Sequence, residues 1–266
     1  LDALHTGSTA KTVAATNGGR TLTTAFVNQS YDEQDSGEII EQLAGDLSIS
    51  VDINADTATL PRYVAHDGAN AYQHAAELAA LSGAWLWFDA DGNLQMTDPN
   101  RAEQQATYTY GDTVLDFRLS ERLPAAASIT VSGEGAAGDH GSNAWYWLRK
   151  DPAPNTATAG TSAPLRSIRD ARLRSAENVA ARAQAAAGAH QRLVSRGYLV
   201  VAVSPDVTPG SLITIESMPD GDSNGEYLVD RVEHRFSMQH GMTTELRVYR
   251  KGEGGFDLLG SLGGLL

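Results

Sequence analysis

Ser175-Ala176-Glu177-Asn178-Val179-Ala180-Ala181-Arg182-Ala183-Gln184-Ala185-Ala186-Ala187-Gly188-Ala189-His190-Gln191-Arg192 is followed closely by Tyr198-Leu199-Val200-Val201-Ala202-Val203. The first run predicts a helix capped by Ser175, with Ala176, Val179, Ala183, Ala186, Ala187 and His190 on one side. Its eight alanines make a slim face suited to close packing on a sheet. The second run reads as a strand, and residues 212–215, 226–236 and 243–249 read as three more. Turns at Pro209-Gly210, at 219–225 and around Gly241 separate them. A helix set against strands joined by short turns makes the fold α+β, with mostly antiparallel sheet.

Working outward, residues 151–164 are Pro, Ala, Thr and Gly with little to bury, and predict a long exposed loop. Residues 107–110, 114–119 and 128–132 are β-rich, and residues 144–148 follow a glycine-rich loop. Trp85, Trp87, Leu94 and Met96 flank Asp89-Ala90-Asp91-Gly92-Asn93, a hairpin pattern. A helix is predicted over 69–81, stopped by Gly83. Asp35 with Glu38 three residues on has capping-box spacing, and Ile39, Ile40, Leu43 and Leu47 recur at helical intervals behind it. Residues 48–53 alternate like a short strand. Nearest the start, residues 12–14 and 21–27 cluster β-formers around Asn17-Gly18-Gly19, which predicts a hairpin.

The 266 residues carry 20 basic and 33 acidic side chains, a formal charge of −13. An acidic chain argues against stable nucleic-acid binding, which needs a basic face. The absence of cysteine removes disulfides, thiolate zinc sites, iron–sulfur clusters and cysteine nucleophiles. No run of about 18 apolar residues predicts a membrane span. The chain opens Leu1-Asp2-Ala3-Leu4-His5 without an initiator Met, so it is expected to start mid-protein.

Three short motifs fail on their context. Gly133-Glu134-Gly135-Ala136-Ala137-Gly138 matches a dinucleotide pattern, but a loop-like stretch follows where a helix is needed. Gly221-Asp222-Ser223-Asn224-Gly225 matches a nucleophile elbow, but a strand follows it. Asp220 to Gly225 opens like a calcium loop, yet Arg231 stands where a bidentate Glu belongs. Among seven histidines none has metal-binding helical spacing, and His66-Asp67 has no nucleophile placed beside it. A glycan hydrolase would require paired carboxylates, for which Asp89 with Asp91 and Asp220 with Asp222 are the compact pairs. The aromatics Trp85, Trp87, Phe88, Trp145, Tyr146 and Trp147 would suit a glycan-binding module, or equally a barrel or interface. No catalytic residue, metal or cofactor is predicted.

The whole pattern says more than any motif. Residues 26–40 lead from Phe26-Val27-Asn28-Gln29-Ser30-Tyr31 into a helix, and Leu60-Pro61-Arg62-Tyr63-Val64 precedes Gln73-His74-Ala75-Ala76-Glu77-Leu78-Ala79. Ser82-Gly83-Ala84-Trp85-Leu86-Trp87-Phe88-Asp89 then runs into Gly92-Asn93-Leu94, and Tyr108-Thr109-Tyr110-Gly111, Val131-Ser132-Gly133-Glu134-Gly135, Leu173-Arg174-Ser175-Ala176-Glu177, Asn224-Gly225-Glu226-Tyr227-Leu228-Val229 and His234-Arg235-Phe236-Ser237 continue it. Over about residues 1–250 the chain resembles the late control protein D family of phage tail baseplate hubs, related to the hub part of VgrG-type spike proteins of contractile injection systems.

The resemblance implies two tube-protein-like antiparallel β-barrels with small helix-containing insertions. It divides the chain into 1–30, the end of a first barrel whose start lies upstream; 31–106, an α/β insertion; 107–164, a β-rich segment with an exposed loop; 165–250, the second barrel with its helix; and 251–266, a Gly/Leu-rich tail. It implies a homotrimeric ring between the sixfold tail tube and the threefold spike, with tail tube, spike or spike-tip and other baseplate proteins as partners. The place of action is then the virion tail or injection-particle baseplate, assembled in the host cytoplasm. After Arg250 there is no room for a further spike domain, so the tip is expected to be a separate chain or to lie outside this one. In the tail, Phe256, Leu258, Leu259, Leu262, Leu265 and Leu266 are expected to dock on a spike chain or a neighbouring subunit, since glycines forbid a stable helix and the leucines favour burial.

Overall fold

The computed structural model describes residues 2–5, 11–123, 125–133, 155–160, 163–238 and 241–252. The fold is mixed α+β, and the chain divides into two compact units, residues 1–80 with 85–97 and residues 81–84 with 98–266.

The first unit begins with β1 (Asp2–His5) antiparallel to β2 (Lys11–Ala14). The predicted hairpin at Asn17-Gly18-Gly19 does not form. Residues Gly19–Thr24 are instead a short helix, α1. Asn17 Oδ1 accepts from Gly19 N at 3.0 Å and turns the chain into it. Leu22 is fully buried, and Gly18 and Gly19 lie so close to the Phe88 ring that a Cβ would sit 3.1–3.4 Å from it. Burial of one leucine and the close approach of two glycines outweigh the β preference of the threonines.

Next come β3 (Gln29–Asp35), α2 (Ser36–Gly45), β4 (Val51–Asn54) and β5 (Thr59–Ala65). The capping box forms as its spacing predicts. Asp35 Oδ1 accepts from Gly37 N (2.8 Å) and Glu38 N (3.1 Å), while Glu38 Oε2 accepts from Asp35 N (3.1 Å). The unit continues with α3 (Ala71–Ser82), β6 (Trp85–Phe88) and β7 (Leu94–Thr97). β3 pairs with β5, and β4, β7 and β6 form a separate three-stranded sheet. Ile39, Ile40 and Leu43 of α2, Leu60 of β5, Leu78 of α3, and Leu94 and Met96 of β7 are buried. His74 is buried as well. Its Nε2 lies 2.9 Å from the His66 carbonyl, which can only accept, so Nε2 carries the hydrogen and Nδ1 accepts from the Tyr63 hydroxyl at 2.7 Å.

The second unit holds β8 (Gln104–Thr109), β9 (Val114–Glu121), β10 (Ser128–Ser132), β11 (Thr156–Ala159), β12 (Leu165–Arg169), α4 (Ala176–Arg192), β13 (Ser195–Ala202), β14 (Leu212–Glu216), β15 (Gly225–Ser237) and β16 (Gly241–Arg250). The stretch predicted as an exposed loop thus contains a strand. β11 pairs antiparallel with β10, and β12 pairs parallel with β10 on its other side. Val179, Ala183, Ala186 and Ala187 of α4 are buried on the side that packs on β10 and β11. Gly133 belongs to this packing, since a Cβ there would lie 2.2 Å from the Leu173 carbonyl oxygen and 2.9 Å from Val179. The glycine that opens the dinucleotide-like pattern is therefore required by close packing.

The remaining strands form one sheet in the order β8-β14-β15-β16-β13-β9. Its edge strands β8 and β9 are joined by only the residues 110–113. Laid flat, five strand spacings would put the edges about 24 Å apart. The link from Thr109 to Val114 spans at most about 18 Å. The sheet must curl, and it does. Tyr110 N donates to Glu216 O (3.0 Å) on one side of the link, and Ala202 N donates to Thr113 O (3.4 Å) on the other. Leu199, Val201, Ile213, Ile215, Tyr227, Val229, Leu246 and Val248 fill the curled interior, with Phe117, Leu119 and Val232 against them.

Candidate assembly surface

The loops that resemble catalytic or metal-binding motifs are closed on themselves. Ser223, which is buried, donates its hydroxyl to Asp220 Oδ2 at 2.7 Å and its N–H to Oδ1 at 3.1 Å. Asn224 Oδ1 accepts from Met218 N at 2.8 Å, so the segment is a braced hairpin turn. Ser223 is here a donor to the Asp220 carboxylate of its own turn, and among the described hydrogen bonds none joins it to a histidine. The two bonds from Ser223 hold the Asp220 carboxyl below its ordinary range. Bonds from Asn93 and Gln95 do the same for Asp89. A glycosidase general acid needs the opposite shift.

His66 Nδ1 accepts from Gly68 N at 3.1 Å, a local turn. Trp85 and Trp87 are half-buried on β6, with Thr97 and Gln95 of β7 opposite them. Among the described residues no cluster of three His, Asp or Glu is placed to hold a metal, and no helix is long and apolar enough to cross a membrane. Phe256, Leu258, Leu259, Leu262, Leu265 and Leu266 lie outside the described residues, as do Trp145, Tyr146 and Trp147.

Because Ser223 is buried, its replacement costs more than an ordinary surface-turn change. Ser223→Ala is expected to lower stability by about 1 kcal/mol, the worth of its bond to Asp220. It should leave the rest of the sheet folded. A urea titration and a far-ultraviolet circular dichroism spectrum of the same variant check both halves.

What the second unit does present is an unfinished sheet. β14 is much shorter than β15, and its pairing runs only from Leu212 opposite Leu228 to Ile215 opposite Gly225. Val229 finishes that side, donating to Ser211 O (2.9 Å) and accepting from Gly210 N (2.8 Å). Beyond a bulge at Asp230, β15 continues to Ser237 paired with β16 alone among the described residues. The bulge is held from the β16 side, where the Arg247 guanidinium and the Tyr249 hydroxyl both reach Asp230 Oδ2. The outer backbone of residues 231–236 is thus an open strand edge. At its far end the large apolar side chains are in water, with Phe236 75% and Met238 94% exposed, and Met242 beside them on β16. On one face of the projecting strand, Glu233 accepts from Arg231 at 3.0 Å and from Arg235 at 3.1 Å, and Arg235 also meets Glu245 at 3.0 Å. The opposite face carries Val232, packed on the interior, and His234, whose Nδ1 lies 2.9 Å from Thr244 Oγ1.

A second exposed edge is β9, which among the described residues pairs with β13 on one side and, beyond the bridge of Val114 to Tyr110, with no strand on the other. Its Phe117 and Leu119 face the interior, Leu115 is exposed, and Asp116 and Arg118 form an ion pair of 3.0 Å. Natural sheets charge or cover such edges to prevent indiscriminate association. These two carry both charge and exposed apolar groups, a combination that marks an interface more than a guarded rim.

No protein-family model matches the chain, and no curated protein matches it. Solved structures do. The 43 kDa tail protein of prophage MuSo2 from Shewanella oneidensis matches with a TM-score of 0.67 and 17% identity over 88% of this chain and 71% of its own. A tail protein from Neisseria meningitidis matches with a TM-score of 0.68 and 12% identity over 94% of this chain and 78% of its own. An Escherichia coli component of the type VI secretion system, itself similar in structure to the T4 bacteriophage tail proteins gp27 and gp5, matches with a TM-score of 0.54 and 10% identity over 89% of this chain and 54% of its own. The chain has the fold of these tail and secretion-system proteins.

Proposed function

We propose that this chain is a structural baseplate hub of a phage tail or a phage-like contractile injection system. Three copies form a ring that adapts a sixfold tail tube to a threefold spike. The observation that carries this reading is the fold shared with phage tail proteins across nearly the whole chain. The curled sheet of the second unit is then one tube-like barrel portion, and a second barrel is completed around the start of the chain. The open edges of β9 and β15 supply the surfaces that a ring requires, since strands left unpaired within one copy are covered in an assembly. The net charge of −13 suits a conduit whose nucleic-acid cargo must slide without sticking. Asp89 and Asp220 are each engaged by hydrogen bonds within their own turn, which favours a structural role over glycan hydrolysis.

In this reading Phe256, Leu258, Leu259, Leu262, Leu265 and Leu266 hold the spike chain or a neighbouring subunit. The test is the mass of the purified protein at micromolar concentration, alone and mixed with its tube and spike partners. The expected species is a trimer, in isolation or once the partners are added. A monomer under both conditions overturns the reading. Retention of the spike at full strength by a chain lacking residues 254–266 would remove the tail from it.

A further inference from the structure

From the two open edges we infer the strand that covers β15: it is β9 of a second copy of this chain, laid antiparallel, with Glu233 opposite Arg118 and Arg235 opposite Asp116. This rests on the ring reading above and specifies its contact.

The argument starts from what an open edge accepts. Among the described residues nothing pairs with the outer backbone N–H and C=O groups of residues 231–236 of β15, and the cover that satisfies them is another strand; a lipid surface would leave those groups unsatisfied. The side chains then select the strand. On its outer face β15 reads Arg231, Glu233, Arg235, a positive-negative-positive series at every second residue. On its outer face β9 reads Asp116 then Arg118, the complement when the strand runs the other way. Cross-strand pairs of opposite charge stabilise a sheet and like charges oppose it.

The same register also matches the other face. Val232 falls opposite Leu119 and His234 opposite Phe117, and Val232, Leu119 and Phe117 already pack on the sheet interior of their own copies. A shift of one residue would put every charged side chain against an interior-facing one, because strand faces alternate. A shift of two in either direction would lose both charge pairs and set Arg118 against Arg235 or Arg231. The contact joins different edges of the two copies, so it is head-to-tail and generates a ring when the rotation closes.

The chain contains no cysteine, which makes the contact readable by cross-linking. Glu233→Cys in one preparation and Arg118→Cys in another, mixed and mildly oxidised, should give a covalent dimer. Each alone should give far less. Within one copy these positions are three strands apart in the sheet, about 14 Å, beyond disulfide reach. The double variant should therefore link only between copies and stop at the closed ring. Independently, Arg235→Glu is expected to weaken association about tenfold or more, and adding Asp116→Arg should restore most of it. If the protein forms trimers but the cysteines stay unlinked and the charge reversals have no effect, the strand assignment is wrong while the ring reading stands. If it stays monomeric with and without tube and spike partners, both fall. Cross-linking with a tail partner in place of a second copy would also overturn the assignment.

Discussion

Tyr227→Ala is expected to lower the unfolding free energy by about 3–5 kcal/mol, the range for removing a buried aromatic side chain. Tyr227 lies in β15 where the curled sheet is fully paired, opposite Ile213 on one side and Arg250 on the other, and it is fully buried. Its ring meets Phe117 edge-on at 5.7 Å between centroids, which ties β15 across the interior to the edge strand β9. Its hydroxyl donates to the Ser223 carbonyl at 2.8 Å, and burial pushes the phenol above its ordinary pKa, so it stays a donor. Tyr227→Phe keeps the ring and loses the bond, and should cost about 1 kcal/mol. Since a domain is stabilised by only about 5–15 kcal/mol, the alanine variant should lose a large share of its folded population. Urea titrations of the two variants separate packing from hydrogen bonding. An alanine variant within about 1 kcal/mol of the parent would mean that this interior is not what stabilises the sheet.

The second large effect is expected at Asp170, just after β12. Its side chain is almost wholly buried and accepts from Arg172 Nε and Nη2, both at 2.8 Å, and from Arg172 N at 3.1 Å. Burial by itself would raise this carboxyl. The bonds and charge of Arg172, with the Arg182 guanidinium of α4 added, hold it below the ordinary carboxylate range. Arg182 is itself weakened as a cation by burial and depends on Asp170 for its counter-charge. Asp170→Ala leaves two guanidinium groups beside each other without that carboxylate and should cost about 2–3 kcal/mol.

The pH dependence has a definite sign. A group whose folded pKa is depressed contributes stability that is present above its unfolded pKa and is lost as pH falls through the folded value. The gap between the parent and Asp170→Asn should therefore be full at pH 7 and begin to narrow below about pH 4. A gap unchanged down to about pH 2 would show that the carboxylate charge is not what stabilises this corner.

Elements specified by close neighbours along the chain are legible in the sequence itself. The Asp35–Glu38 capping box, the Ser175 cap of α4, the Asp89–Asn93 turn and the Pro209-Gly210 turn all close through bonds spanning a few residues, and each forms where its spacing puts it. The alternating runs after residue 195 become strands as their pattern predicts, paired with one another and with β8 and β9. Where a distant group decides, the local pattern misleads. Thr21 to Thr24 are helical because Leu22 finds a core and Gly18 and Gly19 fit beneath Phe88. Thr156 to Ala159 form a strand because β10 offers an edge under α4.

The candidate surface shows the division most plainly. The sequence determines the charges and apolar groups of β15, one residue at a time. That its outer edge is open from residue 231 onward follows from β14 beginning at Leu212 and meeting Leu228, a pairing between segments 16 residues apart. That β8 and β9 come together at Tyr110 and Val114 follows from the curl of the whole sheet. Alternation along the chain marks which residues can form a strand. Register and curvature are set by the sum of side-chain packing across strands far apart in the chain, and no short stretch of sequence contains that sum.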